Sequence, residues 1–390
     1  MAKSKLICLM ISSISVVLLA GCWDRVEIEQ RGFVLGAAID VAEEQTDDEL
    51  QLTLTTQIAV PSGFGTPTGG GSKKKAYMNI SATGHSLFAI ERKMAKQTSR
   101  SPYFQHLKMI IMSEEVANKP NLLSSLMDFF IRDHEMRRGV RVVIMDGKAM
   151  AALEATSDNE NIPTIYIESM MDNDFKNADV LEPLRVGKVH DFLVTTESFV
   201  IPKLEMEGDR VKYQGAEVYN GGKKRVVGSL NSKEIKGLNF ITGKIKGGMI
   251  KTELHEHLTT LQILRVNSNM SITSIEQNKV NASLTINMDG MVAETFSSVD
   301  VANKRNLEKL ETKAEEKITK LVNQTVEKMQ QDLRTDVLGI EQLLHRHHYD
   351  FWKKVEKNWD RGKNYFVDSD INVQVNVNIR ATGGADKTSD

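Results

Sequence analysis

Cysteine is nearly absent from this chain. Its 390 residues hold two, Cys8 and Cys22, and everything after Cys22 lacks a thiol. That excludes an intramolecular disulfide in the body of the protein, and it excludes a thiol-based active site. Stability has to come from packing. An excess of one charge is missing too: 50 Lys and Arg stand against 52 Asp and Glu, a formal net charge of -2. A mildly acidic chain argues against nucleic acid as a partner, which usually needs a basic face. It argues equally against broad adhesion of the protein surface to anionic lipid. Catalytic patterns are also absent. There is no Gly-x-Ser-x-Gly elbow, no His-Glu-x-x-His helix and no Cys-x-x-Cys. Beyond the N-terminus no stretch is long and apolar enough to span a bilayer.

What is present is concentrated first in residues 1–22. Met1-Ala-Lys-Ser-Lys5 leads into an apolar run over 6–20, which ends in Leu19-Ala-Gly-Cys22. A charged start, a short apolar middle and small residues before a cut make a secretory signal. The run, about 15 residues, falls short of the roughly 20 that a spanning helix needs. Leu19-Ala-Gly-Cys22 resembles a bacterial lipobox. The resemblance implies cleavage between Gly21 and Cys22, with a diacylglycerol on the Cys22 sulfur and a fatty acyl group such as palmitate on its amine. Residues 1–21 are then discarded, and the body from Trp23 onward hangs from the outer face of a membrane. Each buried methylene contributes about 0.8 kcal/mol, so two or three acyl chains hold firmly where one is marginal. Trp23 suits either the headgroup boundary or simple packing on the body.

The body reads as α+β, in several mixed domains. Residues 22–200 form an N-terminal α/β domain. Strands are expected over 33–41 and 50–60, joined by a turn holding Glu43, Glu44, Asp47 and Asp48. That turn lacks the spacing of a calcium loop and reads as solvated. Residues 61–75 are Gly-rich and read as a flexible loop with a basic tip; the phosphate-loop spacing is missing, which excludes nucleotide binding by this route. Apolar runs over 106–112 and 140–145 predict buried strands, and helices are expected over 87–95, 121–132, 164–175 and 187–194. Ser113 caps a short helix whose first turn carries Glu114 and Glu115.

From 201 to 275 the chain reads as a strand-rich middle domain, with strands expected over 199–206, 211–219, 226–230, 240–250 and 258–266, and one helix opened by Ser232. Residues 276–382 form a C-terminal domain. A long helix over 303–334 carries an apolar stripe at Leu307, Leu310, Ala314, Ile318, Leu321, Thr325, Met329 and Leu333. Thr325 and the drift from a strict heptad favour packing on a sheet over a coiled coil. The terminal strand, 370–380, alternates Ile371, Val373, Val375, Val377 and Ile379 with polar residues, which places its apolar face under that helix, on an antiparallel sheet. Residues 383–390 are a polar tail.

Two histidine clusters invite a metal reading. His255-Glu256-His257 on a strand puts both imidazoles on one face. His345 and His348 lie one helical turn apart, with Glu341 a turn behind. Each lacks a third ligand of fixed geometry, so no metal and no cofactor is expected.

A series of segments carries a stronger signal. Gly21-Cys-Trp-Asp-Arg-Val-Glu-Ile-Glu29 and Gly32-Phe-Val-Leu-Gly36 open the body. His106-Leu-Lys-Met-Ile-Ile-Met-Ser-Glu-Glu-Val-Ala117 and Phe129-Phe-Ile-Arg-Asp133 follow, then Gly215-Ala-Glu-Val-Tyr219, Val227-Gly-Ser-Leu230 and Gly237-Leu-Asn-Phe240. Asp336-Val-Leu-Gly339, Phe351-Trp-Lys-Lys354, Asn358-Trp359 and the Asn/Val strand close the chain. In this order the series resembles the C-subunit lipoproteins of bacterial spore germinant receptors, the GerAC-type (Ger(x)C) family. The link 360–366 departs from the family's pattern, which touches one loop. The resemblance implies three mixed α/β domains and a non-enzymatic role in spore germination. It implies A- and B-type membrane subunits as partners in responding to nutrients. It places the chain on the outer surface of the spore's inner membrane, with the lipidated cysteine at Cys22. The family offers no motif for a ligand pocket. A solute-binding lipoprotein of a transporter is the alternative, but it calls for two repeated βαβ lobes about a hinge, and the strand-rich middle and long helix do not supply them.

Overall fold

The computed structural model of the chain describes residues 27–45, 49–63, 75–133, 135–296, 300–301 and 303–381. Its larger sheet has nine strands. They are β1 (Arg31–Val41), β2 (Leu52–Ala59), β3 (Tyr77–Gly84), β4 (Ser101–Tyr103), β5 (Met109–Ser113), β6 (Arg141–Met145), β7 (Phe199–Glu207), β8 (Arg210–Asn220) and β9 (Arg225–Leu230). Their order is β3-β2-β1-β5-β6-β7-β8-β9, with the short β4 beside β1. The centre, β1-β5-β6-β7, is parallel, and hairpins extend it antiparallel on both sides. Every residue of β5 and β6 is buried. This is what an unbroken run such as Met109-Ile-Ile-Met112 requires, because a parallel strand covered on both faces has no solvent side.

Helices cover both faces. On one lie α1 (Leu87–Met94), α2 (Glu114–Asn118), α3 (Leu122–Arg132) and a later helix over Val186–Thr195, packed on Val34, Ile39, Ile110 and Val142. On the other, α4 (Ala149–Ala152) and α5 (Pro163–Met171) pack on Ala38, Ile111 and Val143. The Val186–Thr195 helix is α6. Ser113 does cap α2, its Oγ accepting from the Val116 N–H at 3.4 Å. Asp40 caps α4 from within the sheet, its two carboxylate oxygens accepting from the Ala149 and Met150 N–H groups.

After α7 (Ser232–Thr242) the chain builds a second sheet from β10 (Met249–Leu254), β11 (His257–Glu276), β12 (Lys279–Thr295) and β13 (Asp370–Ala381). The first three form an antiparallel meander. The long helix α8 (Lys304–Glu327), extended by a π turn over Lys328–Leu333, then α9 (Ile340–His347) and α10 (Tyr349–Val355), separate β12 from β13. That crossover returns β13 parallel to β12, because a connection containing a helix can start the next strand at the same end. The buried stripe of α8, Leu310, Ala314, Ile318, Val322 and Val326, meets Val375, Val377 and Ile379 of β13 in one core. β13 is an edge strand. Glu315 and Glu311 of α8 accept from its Val377 and Ile379 N–H groups, each at 2.9 Å. Those two carboxylates close an edge that would otherwise template further pairing.

Some local expectations change. The stretch 240–250 is not one strand. Phe240 to Thr242 end α7, Gly243 stops it in the left-handed region at φ 68°, and β10 starts only at Met249. His255 and Glu256 are not on a strand either. With φ of 50° and 69° they form the tight turn between β10 and β11. Of the strand-rich stretch 201–275, β7, β8 and β9 pair into the large sheet, while β10 and β11 open the small one.

Candidate functional site

Residues in or beside three of the segments singled out in the sequence, 215–219, 336–339 and 358–359, converge where the large sheet meets the C-terminal part. Ser198, just ahead of β7, and Asn220, at the end of β8, face Thr335, Asp336 and Asp360 from the C-terminal part. Ser198 Oγ donates to Asp360 Oδ2 at 2.5 Å and accepts from the Gly221 N–H at 3.1 Å. Asn220 Nδ2 donates to Thr335 Oγ1 at 2.9 Å and to the Asp360 carbonyl at 3.3 Å. Gln342 on α9 reaches back to Glu197 at 2.6 Å. A bare Gly221 is needed beside this network, because a Cβ there would strike the backbone carbonyl oxygens of Thr196 and Glu197. Ser198, Asn220, Thr335, Asp336 and Asp360 are all buried, so the lobes are joined by satisfied polar contacts, not by a loose surface.

Asp336 organises the C-terminal side. Its Oδ1 accepts from the Leu338 and Gly339 N–H groups at 3.0 and 3.2 Å. Its Oδ2 accepts from the Glu341 N–H at 2.7 Å and the Trp359 indole at 2.8 Å. The carboxylate thus satisfies open N–H groups at the start of α9, where a negative group is also favoured by the helix dipole. Trp359 in turn meets Trp352 edge-on and Phe366 at a tilt.

The site is crowded with acid. Burial pushes Glu341 up to about 9, helped by the neighbouring Asp336, Asp360 and Glu197, with Arg361 opposing. Asp336 is raised by burial against the pull of its Trp359 and backbone donors, and Asp360 by burial against its Ser198 bond and Arg361. Glu341 is therefore an uncharged acid at neutral pH. Both Asp336 oxygens and Asp360 Oδ2 accept from internal donors, which gives the two carboxyls a fixing role. Beside the junction lies a cleft of about 490 Å³ lined by Leu181, Phe199, Val200, Leu238 and Asn239, among others.

A second buried charge cluster supports β8 from within the large sheet. Lys203 on β7 bonds Glu114 of α2 and Glu217 of β8, both at 2.8 Å, and Ser229 of β9 donates to Glu217 at 2.8 Å. Burial alone would lower the Lys203 ammonium; the two carboxylates outweigh it and hold it above its ordinary value.

Of the residues marked in the sequence, Gly21 and Cys22 lie outside the described residues, as do Asp47, Asp48 and most of the 61–75 loop. The histidine clusters come apart. His255 Nε2 pairs with Asn306 Oδ1 at 3.1 Å. His345 packs edge-on against Tyr349, whereas Glu341 turns inward to the acidic cluster. Among the described residues no His, Asp, Glu or Cys group of three is arranged to hold a metal ion, and no helix is long and apolar enough to cross a membrane. Sequence reasoning missed Ser198, Asn220, Glu341 as an acid, and Asp360. It had marked Asp336-Val-Leu-Gly339 and Trp359 as segments, and Asp360 opens the link 360–366 that departed from the pattern.

Comparison with known proteins places these features. A family described as the spore germination protein N-terminal domain matches residues 24–206, and one described as spore germination B3/GerAC like, C-terminal, matches 214–383. The chain is 31% identical to spore germination protein YndF of Bacillus subtilis (strain 168), over 98% of both chains. It is 26% identical to spore germination protein B3 of the same organism, over 93% of this chain and 94% of that one. The solved crystal structure of the GerBC protein shares the fold, with a TM-score of 0.60 and 23% identity over 88% of this chain and 97% of its own. The chain belongs to the GerAC-type family of spore germination proteins.

Proposed function

We propose that this protein is the lipid-anchored C subunit of a nutrient germinant receptor. It acts in spore germination beside A- and B-type membrane subunits, on the outer surface of the spore's inner membrane. The observation that carries the reading is likeness over the full length to spore germination proteins, B3 among them. Leu19-Ala-Gly-Cys22 supports the anchor, with Cys22 as the acylated residue. The tightly bonded junction suits a rigid docking body: its two lobes are held in one arrangement by buried polar contacts, and its acidic groups are turned inward. The role is binding and transmission rather than catalysis.

Deleting the gene and assaying spores against a panel of nutrients tests the reading; loss of response to at least one nutrient is expected. Unchanged germination on every nutrient would overturn it. Cys22→Ala tests the anchor separately, by membrane fractionation and mobility on a gel. Unaltered membrane retention and processing in that variant would remove the lipid from the proposal and leave the family role standing.

A further inference from the structure

Five lysines from three elements meet in one groove. Lys233 and Lys236 come from α7, Lys251 from β10, and Lys317 and Lys320 from α8; the groove measures about 430 Å³. Its apolar floor is Ile250 and Leu321. Lys251, Lys317 and Lys320 also line an adjoining hollow of about 330 Å³, together with Lys313 and the carboxylates Glu253 and Glu316. The spacing explains the convergence. Lys233 and Lys236 share one face of α7, Lys317 and Lys320 one face of α8, and Lys251 sits on the exposed side of alternating β10.

Charge balance separates this cluster from an ordinary solvated surface. Lys313, one turn before Lys317, is paired with Glu316 at 2.8 Å. Among the described residues the five groove lysines have no such partner. Lys236 instead donates to the Met249 carbonyl at 3.2 Å, and burial together with the charge of Lys251 lowers its ammonium, against the pull of Asp179. A lysine on an edge strand often serves to block strand pairing. That accounts for Lys251 alone. It does not account for four more lysines on two helices, one of which already packs against β10. Bringing uncompensated like charges together costs energy that a bound anion relieves. The lining residues include no aromatic ring, so nothing here stacks on a base. A single phosphate group matches the site best, because it brings close to two charges and three acceptor oxygens within reach of several ammonium groups, whereas a monocarboxylate neutralises one.

We propose that the groove formed by Lys233, Lys236, Lys251, Lys317 and Lys320 binds a compact phosphate-bearing anion, either free in solution or as a lipid headgroup. The proposal goes beyond the receptor reading and does not rest on it. Its test uses the full-length protein and the double variant Lys317→Glu/Lys320→Glu, whose side chains are exposed on α8. Calorimetric titration with pyrophosphate reads the free anion. Sedimentation with phosphatidic acid vesicles, whose headgroup is a phosphate monoester, against phosphatidylcholine vesicles, reads the headgroup. Saturable pyrophosphate binding that weakens tenfold or more in the variant assigns a free ligand. Preference for phosphatidic acid that the variant loses, with no pyrophosphate binding, assigns a headgroup. Absence of both, or binding that the variant leaves unchanged, overturns the proposal. Circular dichroism confirms that the variant is folded; if it is not, Lys317→Gln/Lys320→Gln carries the same test, with a several-fold loss expected.

Discussion

Gly237 of α7 and Thr325 of α8 are pressed together with no room for a further atom. A Cβ on Gly237 would run into Thr325 Oγ1, and it would stand 2.9 Å from Thr325 Cβ and 3.0 Å from the Leu321 carbonyl oxygen. The Thr325 hydroxyl donates to that carbonyl at 3.0 Å and lies 3.4 Å from the Glu234 carbonyl. A threonine in the buried stripe of a long helix, odd as a packing residue, is thus the counterpart of a missing side chain on the neighbouring helix.

Gly237→Ala sets two effects against each other. Alanine is a better helix former than glycine by about 1 kcal/mol. Forcing a methyl into a filled contact costs about 1–3 kcal/mol, occasionally more. Because the obstacles include backbone and a β-branched carbon that cannot swing away, the steric effect should win. The variant is expected to unfold at lower urea concentration, and Thr325→Ala in the same chain should restore part of the loss. Equal stability of Gly237→Ala and the parent would show that the helices yield at a cost no greater than the helix-propensity gain of about 1 kcal/mol.

The parts of the fold legible in the sequence are those whose pattern is local. The alternation in β13, the stripe of α8 and the unbroken apolar runs of β5 and β6 each report their own burial. Pairing direction is not local: nothing within 370–380 says that β13 runs parallel to β12, since that depends on the helical crossover before it. The stretch 240–250 misled because an apolar run does not reveal whether Gly243 caps a helix or bends a strand. The junction was half legible. Asp336 and Trp359 fell in recognised segments, but their bond to each other, and the inward turn of Glu341, follow from tertiary packing. The lysine groove was hidden altogether. Its members are scattered from 233 to 320, and a net charge of -2 averages them away, so the absence of a basic face, inferred from composition, does not hold locally.

Lys203 is the only cation bonded to the Glu114–Glu217 pair in the described structure, and Glu217 is 1% exposed. Lys203→Met keeps the length of the side chain and removes its charge. Breaking a buried pair from one side costs about 3–5 kcal/mol, because the remaining charge stays buried without compensation. Chemical denaturation should show a loss of that order. Adding Glu217→Gln should recover much of it, and a double variant no better than the single one would contradict this account.

Trp359→Phe leaves an aromatic ring among Trp352 and Phe366 but deletes the indole N–H that serves Asp336. Leaving a buried acceptor without its donor costs about 1–3 kcal/mol. The variant should lose stability in that range, and the loss should fall when Asp336→Asn replaces the carboxyl the indole serves. Thermal melts of the two single variants and the double variant supply the cycle. Additive losses would mean that the indole acts through packing alone.

Glu341 makes a prediction in pH. Its ordinary carboxyl value is 4.5, and in the folded chain it stands at about 9. Between those values the unfolded chain has released the proton while the folded chain keeps it, so folding takes up a proton. Stability from this group is therefore complete below about pH 4.5, falls as pH rises, and levels off above about pH 9. The slope for one proton is about 1.4 kcal/mol per pH unit. Glu341→Gln preserves the shape of an uncharged acid and has no proton to lose. Its unfolding free energy should follow a flatter course than the parent's from pH 5 to 9, with the two curves parting steadily and the variant more stable at pH 8. The raised values of Asp336 and Asp360 give both proteins a residual slope of the same sign, so the diagnostic is the difference between the curves. Parallel curves across that window would mean that Glu341 is ionised in the folded protein, and that Arg361, the one nearby charge favouring its anion, prevails over burial.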